Sequence, residues 1–116
     1  MIDLHSAVFY SKDIPEIVDF YQNKLGLELE YNEDNYFVSF IFPSGKKLGI
    51  RQEKGEREKA GHQTVFFSVD NIDEYYQKIK SGDFNLYREL EIHPWGRAFA
   101  IMDPDNNKVE FVEDKK

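Results

Sequence analysis

Apolar positions recur along this chain with two different periods. Ile14, Ile17, Val18 and Tyr21 stand at the i, i+3, i+4, i+7 spacing of one helical face. Asp13 precedes them as an N-cap, Pro15 falls in the first turn where its missing N–H costs nothing, and Glu16 is placed to close a capping box. Gly26 follows as a stop. The same arrangement returns at Ile72, Tyr75, Tyr76 and Ile79, with Asn71 as cap, Glu74 at the box position and Gly82 as stop. A single shift of 58 residues superposes the two apolar faces and their caps. Elsewhere strand-forming segments separated by turn formers predict strands over 4–10, 27–31, 36–42 and 47–51, then over 64–69, 86–92, 97–102 and 108–113. The turn clusters between them are Asn32-Glu33-Asp34-Asn35, Pro43-Ser44-Gly45 and Asp103-Pro104-Asp105-Asn106-Asn107.

The chain therefore reads as a strand, a helix and three strands, used twice. This predicts one α+β domain of two βαβββ repeats, about 1–52 and 62–116, forming a curved mixed sheet around a cavity. Residues 53–61 carry a mixed-charge run without apolar period and read as a solvated linker, with an exposed helical turn as the alternative. The first strand of each repeat divides by face. Ala7 and Phe9, like Val65, Phe67 and Val69, suit the side covered by helices. Ser6, Val8 and Tyr10, like Thr64, Phe66 and Ser68, form mixed faces that would line a cavity between the repeats. On the last strand Glu110 projects away from Val109 and Phe111, which makes it the first candidate for chemistry.

Composition narrows the choice of partners. The 116 residues suffice for one domain with a real core. Without cysteine there is no disulfide, thiolate or cysteine metal site, which suits a cytoplasmic location. No apolar run approaches the ~20 residues of a membrane span, so no membrane partner is expected. A net charge of −7 opposes binding to a phosphate backbone, so nucleic acid is not expected either. Ten Phe, seven Tyr and one Trp can line a pocket for a flat or apolar small molecule, or equally fill a Phe-rich core.

The chain resembles the vicinal oxygen chelate superfamily, which includes glyoxalase I, extradiol dioxygenases, and fosfomycin and bleomycin resistance proteins. The resemblance rests on Lys12-Asp13-Ile14, Phe20-Tyr21 and Leu25-Gly26-Leu27 in the first repeat. In the second it rests on Trp95-Gly96-Arg97, the Asp103 to Asn107 turn and Glu110. The family's usual turn is Asp-Pro-Asp-Gly-Asn, so Asn106 departs from it with the next best residue for positive φ. Metal-using members draw ligands from the first and last strands of each repeat, and the resemblance puts those positions at Ser6, Gly49, Thr64 and Glu110. Glycine has no side chain, and neutral hydroxyls are poor ligands beside imidazole or carboxylate. No metal or other cofactor is therefore expected.

The resemblance implies a small-molecule-binding protein of the bleomycin-resistance type, and a homodimer. Ser6, Val8, Tyr10, His62, Thr64, Phe66, Trp95, Arg97, Phe99 and Glu110 are the candidate ligand contacts, with Glu110 also a candidate general base. The alternative is a metal-dependent lyase, isomerase, dioxygenase or thiol transferase holding its metal with Glu110 and with His62 or His5. His62 shares the strand face of Thr64, and His5 points to the opposite face from Ser6 unless the register slips by one. Glu110 paired with Arg97 or Lys108, and Trp95 and Phe99 in the core, are the structural alternatives.

Overall fold

The computed structural model describes residues 1–115, which cluster into two compact units divided after Gly61. In the first, β1 (Ser6–Ser11) leads into α1 (Ile14–Val18), then β2 (Glu28–Glu33), β3 (Phe37–Ile41) and β4 (Lys47–Gln52). The sheet order is β1-β4-β3-β2, with β1 parallel to β4 and the other pairs antiparallel. A parallel pair needs a long crossover, which α1 and the β2–β3 hairpin supply. One sheet face is covered by the helix. Ile14, Ile17 and Tyr21 bury against Val38, Phe40, Leu48 and Ile50, all at most 2% exposed. Each such side chain contributes about 1.5–3 kcal/mol by leaving water.

The second unit repeats this plan. β5 (Thr64–Ser68), α2 (Ile72–Ser81), β6 (Asn85–His93), β7 (Gly96–Met102) and β8 (Lys108–Asp114) form a sheet of order β5-β8-β7-β6, with β5 parallel to β8. Its core is aromatic. Phe99 stacks on Phe111 at 4.9 Å, and Tyr76 meets Phe99 at 5.1 Å. Two βαβββ modules, each with its own four-stranded mixed sheet, are thus as the patterning predicts. No helix of the described residues is long and apolar enough to cross a membrane.

Several local features differ from the sequence reading. The first helix does not run on as an α-helix but widens into a π-helical stretch over Asp19–Lys24, in which Leu25 N–H donates to the Phe20 carbonyl at 2.9 Å. The wider turn lets the adjacent Phe20 and Tyr21 both bury, at 5% and 0% exposure, where an α-turn would separate them by about 100°. Asp13 caps α1 by accepting from Glu16 N–H at 3.2 Å, but Asn71 gives α2 no side-chain cap bond. Glu113 of β8 does this instead, accepting from Ile72 N–H at 3.1 Å. Residues 53–61, largely exposed, carry local bonds of their own. Glu53 N–H donates to the Ser11 carbonyl, Lys54 bridges to Glu58, and the Glu53 carboxylate accepts from Ala60 N–H.

The turn after β7 is a polar knot. Asp103 accepts from the N–H groups of Asp105 and Asn107 at 2.8 and 2.9 Å and from the Asn107 amide at 2.9 Å. Asn107, 1% exposed, accepts in turn from Gln63 N–H at 3.1 Å, which ties the turn to the entry of β5. Asn106 takes the left-handed backbone that its place in the turn demands, at φ 64°. Both outer strands also carry a register shift at equivalent places, between Leu29 and Tyr31 in β2 and between Leu86 and Arg88 in β6. The extra residue of such a bulge swings the local side chains onto the uncovered face.

Candidate functional site

The sheet face of the second unit that α2 leaves uncovered carries a connected strip of charge. Glu110 is held in β8 opposite Phe66 and Ala100, and its backbone neighbours Val109 and Phe111 point into the core. Its Oε1 accepts from the Arg88 guanidinium, and Lys108 Nζ stands 3.9 Å from Oε2. Arg88 Nε also lies 3.4 Å from Glu91, whose carboxylate is 3.6 Å from His93 Nε2. Lys108 sits over the Tyr87 ring at 5.4 Å, and Phe66 remains 61% exposed beside Glu110. Arg88 and Tyr87 reach this face because of the β6 bulge, which no feature of the sequence announces. Glu110 is 7% exposed and ion-paired with Arg88 within this strip.

The uncovered face of the first unit is aromatic around a glycine. Gly49 pairs with Val8 and Ser39, and a Cβ there would stand 2.9 Å from the Phe37 ring and 3.2 Å from Val8. The Phe37 ring therefore occupies the space that a side chain at 49 would need. Arg51 lies over that ring at 5.4 Å, and Tyr31 approaches it at 5.9 Å. Lys47 bonds Glu30 at 2.9 Å, and this bond, then one from Ser39, holds the Glu30 carboxyl below the ordinary glutamate range.

Several candidates stand on these faces and others do not. Ser6, Val8 and Tyr10 lie opposite Lys47, Gly49 and Arg51, and Thr64 and Phe66 lie opposite Lys108 and Glu110. Phe99 does not belong with them: it is fully buried between Tyr76 and Phe111 under α2. Arg97 shares its parity and points the same way, donating to Asp73 at 3.0 and 3.1 Å and to Glu113 at 2.8 Å rather than to Glu110. Glu113, then Asp73, raises the Arg97 pKa above its usual value. The hairpin register carried a usable signal, because turning at 103–107 sets Phe99 opposite Phe111 and hence on the face Glu110 avoids. His62 precedes β5 in left-handed backbone, at φ 64°, so strand alternation does not extend to it from Thr64. His5 is exposed and meets the Ser6 hydroxyl at 3.1 Å. Trp95 occupies the two-residue turn between β6 and β7, where its half-exposed ring stacks on His93 at 5.0 Å. That hairpin end borders a cleft of about 470 Å³ lined by Asp70, Ile92, His93, Arg97 and Glu113.

The donors do not suit a divalent metal. Of Ser6, Gly49, Thr64 and Glu110, one offers a carboxylate, and that carboxylate is taken up by Arg88. Among the described residues no three His, Asp or Glu side chains converge as metal ligands do.

Comparison with known proteins agrees with this architecture. The sequence profile described as the Glyoxalase/Bleomycin resistance protein/Dioxygenase superfamily matches residues 3–111. The chain is 31% identical to the bleomycin resistance protein of Geobacillus stearothermophilus, over 90% of this chain and 91% of that protein. It is 30% identical to a lactoylglutathione lyase of Escherichia coli O157:H7, over 89% of this chain and 86% of that one. Among solved structures, a superfamily member from Sphaerobacter thermophilus superposes with TM-score 0.83 at 25% identity, covering 98% of both chains. A lactoylglutathione lyase from Agrobacterium tumefaciens superposes equally well, with TM-score 0.83 at 18% identity over 96% of this chain and 92% of that one.

Proposed function

Because the chain belongs to the Glyoxalase/Bleomycin resistance protein/Dioxygenase superfamily, we propose that it binds a small organic molecule, a reading supported by its likeness to relatives named bleomycin resistance proteins, without a divalent metal centre. The observation that carries this reading is the replacement of donor chemistry by other contacts: the Phe37 ring fills the space beside Gly49, and Arg88 holds Glu110. Such faces favour flat, partly apolar molecules, which aromatic side chains bury well. Ser6, Val8, Tyr10, Thr64, Phe66 and Glu110 are the contacts proposed from the uncovered faces. On the family resemblance we also propose a homodimer, to be read by sedimentation velocity.

The test pairs two titrations on protein purified without a histidine tag. Bleomycin is titrated by calorimetry, and Ni, Zn, Mn and Fe are titrated into wild type and Glu110→Ala. Saturable drug binding without stoichiometric metal is the expected result. Stoichiometric metal binding that Glu110→Ala abolishes would overturn the reading in favour of a metal-dependent enzyme.

A further inference from the structure

Of the four arginines, three have surroundings that account for their charge. Arg88 pairs with Glu110 and Glu91, Arg97 pairs with Asp73 and Glu113, and Arg57 is exposed in the 53–61 loop. Arg51 differs. It stands on the uncovered face of the first unit, opposite Tyr10 and Phe37, and is only partly exposed. Its Nε is shut off from water and bonds to nothing, and among the described residues no carboxylate pairs with it. An exposed cation such as Arg57 is solvated by water, whereas Arg51 is half-buried. The shift of 61 residues that takes Gly49 to Glu110 takes Arg51 to Val112, so this cation belongs to the first repeat alone.

A partly desolvated guanidinium without a counter-charge is costly unless something else supplies the anion. Its setting indicates what that partner carries besides charge. The Arg51 guanidinium lies against the Phe37 ring, which spreads across Gly49, and Tyr31 flanks the same ring. A guanidinium held over a ring keeps its outer N–H groups available for a planar carboxylate. Lys47 of the same strand is matched by Glu30, whereas among the described residues no carboxylate lies within ion-pair distance of Arg51.

We infer that Arg51, Phe37 and Tyr31 form a subsite for a flat aromatic anion, with the anionic group on Arg51 and the ring on the aromatic pair. This rests on the small-molecule reading above and specifies the ligand's class. The probes are 2-naphthoate, the neutral 2-naphthalenemethanol and the cationic 2-naphthylmethylammonium. Binding is read by calorimetry and by the Arg51 Nε–H resonance in proton–nitrogen NMR, on wild type, Arg51→Gln and Arg51→Lys. Naphthoate should shift that resonance and bind about tenfold or more tighter than the alcohol, as a charge-assisted paired contact implies. Arg51→Gln should erase the difference, and Arg51→Lys should restore part of it, keeping the charge but not the fork. The inference is overturned if the alcohol binds as tightly, if Arg51→Gln leaves naphthoate affinity unchanged, or if naphthoate does not bind. Failure of naphthoate while bleomycin binds removes the ligand class and leaves the small-molecule reading standing. Failure of every organic probe removes both.

Discussion

Asn107→Ala should show how much of the second unit depends on its polar knot. The substitution deletes two contacts of a side chain that is 1% exposed: its amide donates to Asp103 at 2.9 Å, and its carbonyl accepts from Gln63 N–H at 3.1 Å. A hydrogen bond to a charged group is worth about 1.5–3 kcal/mol, and a backbone N–H left without its acceptor costs about 1–3 kcal/mol. Together these give a loss of roughly 3–5 kcal/mol, a large share of the ~5–15 kcal/mol available to a small domain. Urea unfolding followed by circular dichroism reads it directly. With a slope of about 1–3 kcal/mol per molar, the midpoint should fall by at least about 1 M at unchanged slope. Asn106→Gly is the control, because glycine suits the left-handed backbone at φ 64° and should change stability by less than about 1 kcal/mol. A loss under about 1 kcal/mol in Asn107→Ala would refute the view that the knot anchors β5 to the β7–β8 hairpin.

Two further outcomes follow from the geometry. Gly96→Ala places a Cβ 2.2 Å from the Glu113 carbonyl oxygen at φ 151°, so the start of the β7–β8 ladder must shift, costing about 1–3 kcal/mol by thermal melting. Glu30 has a folded-state pKa below the ordinary value, so the Lys47 and Ser39 contacts stabilise the fold above the unfolded pKa and lose that effect as pH falls through the folded one. Carboxyl NMR titration should put its midpoint below an ordinary glutamate in wild type and return it upward in Lys47→Met.

The architecture was largely legible because its signals are local and repeated. Helix periodicity and caps occur twice at one spacing, each followed by a glycine stop, and β1 and β5 declare their faces by alternation. β7 declares nothing, since Ala98, Phe99, Ala100 and Ile101 are apolar on both sides and all buried. By sequence alone Phe99 and Arg97 therefore read as ligand-face residues, while the pairing of Phe99 with Phe111 turns both toward α2. The Glu113 cap on α2 was illegible for another reason: it joins residues 41 apart in sequence, where no spacing rule reaches. His62 broke the alternation by taking left-handed backbone, which is uncommon for any residue with a side chain. Arg51 and Arg88 became candidates only once strand register showed which rings and carboxylates lie beside them.

The matching bulges in β2 and β6 have a consequence for how such a protein can change its ligand. Each inserts one residue in an outer strand without displacing the partners that pack on the helix: Leu29 still faces Phe40, and Leu86 still faces Ile101. In one repeat the inserted segment presents Glu30 and Tyr31, and in the other Tyr87 and Arg88. Interior and recognition surface are thereby decoupled within a single strand. Two adjacent side chains can be rewritten in either copy while the hydrophobic interior keeps its original grammar.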